Sequence, residues 1–266
     1  MSLESRMIDV PGPGRRAVSI EVWSGGKGPD LLFQHGAGGL LPDDPFLNRL
    51  AEHYSVHAPL LPGYGSSESG DHLRTMLDFT LHACDVRDAL GLDSPLLVGH
   101  SMGGMIAAEM AAVAPDRVDR LVLICPAGLW IDECPVVDLF AALPFELPEL
   151  LLHDPAKHGA LLSAGGDFND PEFLTDFLVG NARRLGSAGK LLFPVPDRGL
   201  ADRLYRIKAR TRIVWGESDR LIEKRYGPVF EAAIANADLT VIPEAGHMVP
   251  YEQTDAVLDV IASLHN

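Results

Sequence analysis

Residues 99–103 read Gly-His-Ser-Met-Gly, between the apolar run Leu96, Leu97 and Val98 and a segment whose apolar residues recur at helical spacing. A serine in a strand-to-helix turn constrains the fold more than any other stretch of this chain. Such a turn presses backbone against its neighbours, so side chains at 99 and 103 would crowd it. Glycine also tolerates the unusual dihedrals the turn demands. A helix starting at Met102 aims its unpaired N–H groups toward Ser101, where they favour negative charge. The bland reading is a glycine-rich loop that happens to hold a serine. The strand before it and the helix after it weigh against that reading.

Around this turn, short apolar runs alternate with helical patterns. Residues 17–23, 30–34, 54–59, 96–98, 120–125, 211–215 and 239–242 read as strands. Residues 46–53, 73–90, 224–235 and 255–264 read as helices, as does the segment in which Met102, Ile106, Met110 and Val113 share a face. The run 120–125 is typical of a strand covered on both sides. This alternation predicts an α/β fold with a parallel sheet between two helical layers. The rhythm changes after Pro126. Prolines stand at 126, 135, 144, 148, 155, 171, 194 and 196, with helical patterns between them and no strong strand up to Arg206. This reads as a helical insertion. The chain divides into a core of residues 1–126 and 207–266 and a cap of residues 127–206.

A serine hydroxyl is a weak nucleophile until a base takes its proton. The chain has ten histidines. His100 adjoins Ser101, but neighbouring side chains in such a turn diverge. His247 follows the strand 239–242, in the loop Pro243-Glu244-Ala245-Gly246-His247-Met248. Asp219 follows the strand 211–215, in Gly216-Glu217-Ser218-Asp219. In a parallel sheet, loops at the carboxyl ends of strands gather at one edge. Ser101, Asp219 and His247 therefore meet there as nucleophile, orienting acid and base. Glu217 is a rival acid too near its strand end, and Asp132 and Glu133 are weaker rivals. The oxyanion requires two backbone N–H groups. Met102 supplies one, and the small residues of His35-Gly36-Ala37-Gly38-Gly39 supply the other, Ala37 first and Gly38 second. His35 shapes that loop. Gly36, Trp130, Phe140, Phe145, Leu151 and Met248 are candidates for the substrate pocket.

Composition narrows the classes further. A net charge of −15 argues against a nucleic-acid binder and offers no basic patch to anionic membranes. Three cysteines without a C-x-x-C pair give no disulfide framework. Cys84 and Cys125 read as small core residues. The histidines lack metal-ligand spacing and no H-E-x-x-H occurs, so no metal and no cofactor are expected. The first sixteen residues have no apolar central region, which makes the cytoplasm the expected location. The expected partner is a small-molecule substrate, and the sequence is compatible with a homo-oligomer.

These pieces, together with Pro62-Gly63-Tyr64-Gly65-Ser66-Ser67 and Gly103-Gly104, resemble the α/β-hydrolase superfamily over nearly the whole chain. The resemblance implies a mostly parallel eight-stranded sheet flanked by helices, with an inserted helical cap, and makes residues 99–103 a nucleophile elbow. It is similar to the serine-nucleophile branch of carboxylesterases, lactonases and meta-cleavage-product hydrolases. The implied activity is cleavage of a small, largely apolar ester, thioester or lactone through an acyl-enzyme. C–C hydrolysis of a meta-cleavage-type diketone is the alternative. C–C hydrolases often carry Asn before the nucleophile, where this chain has His100. From another class, a ligand-binding receptor with a vestigial triad fits the same scaffold.

Overall fold

The structure, a computed structural model, describes residues 3–143, 145–162, 166, 169–195 and 197–265. Pro144 and Pro196 of the proline series lie outside the described residues. One sheet of eight strands organises them: β1 (Glu4–Pro11), β2 (Ala17–Gly25), β3 (Asp30–Gln34), β4 (Ser55–Pro59), β5 (Leu96–His100), β6 (Arg120–Ile124), β7 (Arg210–Gly216) and β8 (Ala237–Ile242). Their spatial order is β1-β2-β4-β3-β5-β6-β7-β8. The β1–β2 and β2–β4 pairs are antiparallel, and every pairing from β4 through β8 is parallel. The serine strand β5 lies between β3 and β6, with Val98 opposite both Phe33 and Val122.

The helices are α1 (Pro45–Leu50), α2 (Met76–Ala89), α3 (Met102–Val113), α4 (Leu147–Leu151), α5 (Pro155–His158), α6 (Pro171–Leu192), α7 (Gly227–Ala233), α8 (Val249–Glu252) and α9 (Thr254–Ala262). Local chemistry sets their starts. Asp44 caps α1 by accepting from the Phe46 and Leu47 N–H groups, and Thr75 and Asp78 form a reciprocal capping box on α2. Helix α2 therefore begins at Met76, three residues after the sequence pattern suggests. Helix α3 is buried from Met102 through Ala112 and packs on β5 and β6. The apolar runs Leu31–Phe33 of β3, Leu96–Val98 of β5 and Leu121–Ile124 of β6 are buried throughout, as strands covered on both faces require.

Strand β1 is absent from the sequence reading of individual strands. Only Val10 of its eight residues is fully buried, so this edge strand shows almost no apolar alternation. Strand β6 ends at Ile124, one residue short of Cys125, which has φ +42°. The chain leaves the sheet there. Helices α4, α5 and α6 fall between β6 and β7. Among the described residues, no helix is long and apolar enough to cross a membrane.

Gly103 shows why the turn needs glycine. A Cβ there would run into the Gln34 carbonyl oxygen and come within 2.6 Å of the His35 carbonyl oxygen, both backbone atoms that cannot yield. Gly103→Ala should cost at least about 3 kcal/mol. Urea unfolding would show this as a sharply lower midpoint or as no folded protein. An unchanged midpoint would contradict the packing described.

Candidate active site

The residue at the turn is strained. Ser101 has φ +56° and ψ −119°, a conformation non-glycine residues rarely hold, and its N–H donates to Ile124 O at 2.8 Å. The turn throws the side chain off the end of β5, and α3 starts at the next residue. Met102 N–H therefore has no partner within its own helix.

Two further loops at the same sheet edge bring the remaining groups. The loop after β7 carries Asp219, and the loop after β8 carries His247. They lie backbone on backbone: Ser218 N–H donates to Ala245 O at 2.8 Å, and a Cβ at Gly216 would collide with Gly246 O. The result is a continuous relay. His247 Nδ1–H donates to Asp219 Oδ2 at 2.8 Å, and Ser101 Oγ lies 2.8 Å from His247 Nε2. Asp219 Oδ1 accepts from the Leu221 and Ile222 N–H groups at 3.0 and 2.9 Å. The carboxylate is thus held at both oxygens. It fixes the imidazole tautomer that leaves Nε2 free to accept the serine proton. All three side chains are buried. Glu217, the rival acid, is exposed and pairs with Lys224, and Asp132 and Glu133 are exposed as well.

The conformation of the loop 35–39, the candidate oxyanion loop, is set by His35. Its Nε2 accepts the Leu61 N–H at 3.0 Å, so the ring proton sits on Nδ1, which donates to Gly36 O at 2.7 Å. In a trans peptide the N–H points opposite the C=O. Fixing the Gly36 carbonyl therefore fixes the direction of the Ala37 N–H. Tyr64 does the same for the next peptide, its hydroxyl lying 3.0 Å from Ala37 O and 3.1 Å from Arg184 O on α6. His100 does not join the relay: its Nε2–H donates to His247 O at 2.9 Å, with its ring 5.1 Å from the His247 ring. It clamps the backbone of the loop that carries His247.

Burial pushes His35 down to about 4. Burial, and then the nearby His247, push His100 down to about 3. His82 on α2 falls to about 4, again chiefly through burial. All three are neutral in the fold at pH 7, yet in the unfolded chain they charge near pH 6.5. Protons therefore bind preferentially to the unfolded chain, and stability falls as pH drops from about 6.5 toward 4. The combined loss is on the order of several kcal/mol. Calorimetry across this range should show a falling Tm, and a flat or rising Tm would contradict the neutral assignments.

Cys125 stands behind the acid. One ligand atom each from Cys125, Asp219 and His247 lie within 4.8 Å of one another. Burial, and then the Asp219 charge, push the thiol well up. The histidine and aspartate already bond each other, so the arrangement is an acid–base pair with a neutral thiol behind it.

Ser101 and Ala37 border two lobes. The smaller has about 60 Å³ of room, space for a handful of water-sized groups, and is lined by Met105, Leu129, Val136, Phe140, Leu191 and Ile222 among others. The larger has about 320 Å³ and includes Gly36, Gly38, Leu151, Phe173, Phe177, Arg184, His247 and Met248. Two sequence expectations need correction. Trp130 lies 37% exposed because its indole N–H turns outward to Asp132, and Phe145 is 75% exposed just before α4. Neither borders the lobes among the described residues. The sequence reading missed Phe173, Phe177, Asn181 and Arg184, which project from α6. That helix's pattern shows an apolar face but not what the face meets.

A model of the Alpha/beta hydrolase family matches residues 31–260. The 2-hydroxy-6-oxo-6-phenylhexa-2,4-dienoate hydrolase of Burkholderia cepacia is 28% identical over 291 aligned residues, covering 98% of this chain and 98% of that protein. The solved enzyme of the same name from Rhodococcus sp. strain RHA1 has a TM-score of 0.74 at 22% identity, over 99% of each chain. Naproxen esterase from Bacillus subtilis has a TM-score of 0.73 at 19% identity, over 99% of this chain and 92% of that one. At such identities the two solved structures speak for the fold alone. The family match spans most of the sheet and all three loops of the relay, and on that basis this chain belongs to the Alpha/beta hydrolase family.

Proposed function

We propose that this chain is a serine hydrolase that cleaves a small, largely apolar carboxylic ester, thioester or lactone through an acyl-enzyme. One observation carries the reading: the unbroken relay from Ser101 Oγ through His247 to Asp219, with 2.8 Å at each step. Ser101 Oγ attacks the carbonyl carbon while His247 Nε2 takes its proton. The carbonyl π electrons move to oxygen, which the Met102 and Ala37 N–H groups receive. The tetrahedral adduct collapses, the C–O or C–S bond to the leaving group breaks, and His247 returns the proton to that group. Water then repeats the sequence, its proton going to His247 and on to Ser101 as the acid departs. Asp219 stays ionised and steadies the imidazolium. The two lobes of unequal size support a short group on one side of the scissile carbonyl and a bulkier one on the other.

The domain division into core and cap belongs to this reading, with residues 127–206 roofing the site. A cytoplasmic location belongs to it too, supported by three free thiols. A second reading is favoured by one specific observation, the Burkholderia relative named as a dienoate hydrolase. In that case the same relay breaks a C–C bond. A hydrolysis panel of esters, thioesters, lactones and ring-cleavage dienoates tests both. Ester or lactone turnover above dienoate turnover supports the first reading, and rapid bleaching of the dienoate with poor ester turnover replaces it with the second. Failure of a fluorophosphonate probe to label Ser101 in folded protein, with no turnover on the panel, would discard both.

A further inference from the structure

The loop that carries His247 is bound to the cap through one buried carboxylate. Glu252 closes α8, the single turn that follows this loop, and is 8% exposed. Its Oε2 accepts the Gly246 N–H at 2.7 Å, one residue before His247. Its Oε1 accepts the His153 N–H at 2.8 Å and the Asp154 N–H at 3.4 Å, both from the chain between α4 and α5. The contact is continued by backbone, with Met248 N–H donating to Leu151 O at 3.0 Å. A Cβ at Gly246 would stand 2.7 Å from that same carbonyl oxygen, so the two segments touch without side chains between them. The acid loop joins from its own side. His153 Nδ1 lies 2.8 Å from Ser218 Oγ, and Arg220 donates to Glu149 O and Leu152 O at 2.7 and 3.1 Å.

We propose that Glu252 is a positioning residue that couples the seating of cap residues 149–154 to the placement of His247 against Ser101. This rests on the serine-hydrolase reading above. A carboxylate can serve both sides at once because each oxygen is an acceptor, and charge-assisted bonds of this kind are the strong ones. A carboxamide of the same shape has one acceptor and must turn its NH₂ toward either the base loop or the cap. An aspartate keeps the charge but is one methylene short of spanning both. A small displacement of the base is felt steeply, because an ångström of misplacement costs on the order of 10²-fold in rate.

The test compares wild type, Glu252→Gln and Glu252→Asp on one small ester, with rates normalised to Ser101 sites titrated by a fluorophosphonate and measured below every variant's Tm. The expected result is a kcat per labelled site lower by about 10- to 100-fold in both variants, with KM unchanged and slower labelling of Ser101. Loss in Glu252→Gln with wild-type kcat in Glu252→Asp would assign the effect to charge and overturn the spanning role. A lowered Tm with kcat per site intact in both variants would make Glu252 merely structural and overturn the proposal. If Glu252→Gln does not fold, the same normalised comparison on Glu252→Asp decides it. Unlabelled, inactive wild type would instead strike the serine-hydrolase reading itself.

Discussion

Ser101→Ala is expected to lower turnover of any substrate found on the panel by roughly 10⁴- to 10⁶-fold, with the fold intact. Removing Oγ deletes the only atom in the relay that forms a bond to the substrate. His247 keeps its bond to Asp219, and the N–H groups of Met102 and Ala37 keep their places, so substrate binding survives. Binding and rate therefore separate: ligand affinity measured by calorimetry stays near wild type while kcat collapses. The strained backbone supplies a second readout. Ser101 holds φ +56°, a strain that alanine inherits, so Tm should hardly move. Residual activity within tenfold of wild type would mean that another group does the chemistry.

Asp219→Asn should cost about 10⁴-fold in kcat, for a reason visible in the hydrogen bonds. The Leu221 and Ile222 N–H groups both point at one carboxylate oxygen. In the asparagine variant that position must hold the amide oxygen, because an NH₂ there would face two donors. The NH₂ is then forced toward His247 Nδ1, which must become an acceptor. The ring proton moves to Nε2, and the nitrogen facing Ser101 can no longer receive its proton. The remedy is a pH shift. Raising pH ionises some serine directly, so the variant's rate should climb through the alkaline range where wild type is level. Stopped assays from pH 6 to 10 would show this, and a parallel profile for both proteins would refute the tautomer argument.

The relay was legible in the sequence because each of its members follows a strand, and strand ends in a parallel sheet share one edge. Asp219 was separable from Glu217 on the same ground, since the residue next to the strand end is carried outward, here to Lys224. What escaped the sequence did so for identifiable reasons. Strand β1 has one buried residue, so there was no alternation to read. Trp130 and Phe145 are aromatic in an irregular stretch, where residue type says nothing about direction, and both face outward. Glu252 is a single acid whose local partner is the Gly246 N–H, while the partners that make it a bridge, His153 and Asp154, lie about a hundred residues upstream. Non-local pairing of that kind leaves no mark on local pattern. Its identity as a bridge comes only from the fold.

The attachment of residues 149–154 to the base loop also sets the rules for re-engineering substrate range. The insertion between β6 and β7 looks like a cassette, open to exchange with that of any relative. It is one only in part. A chimera joined at the ends of the insertion would discard the Leu151 carbonyl and the His153 N–H, and with them the registration of His247. Splice points placed after residue 154 would keep that segment and still replace the α6 residues that face the larger lobe. Libraries built on this scaffold should therefore diversify downstream of Asp154 and leave the preceding turn as wild type.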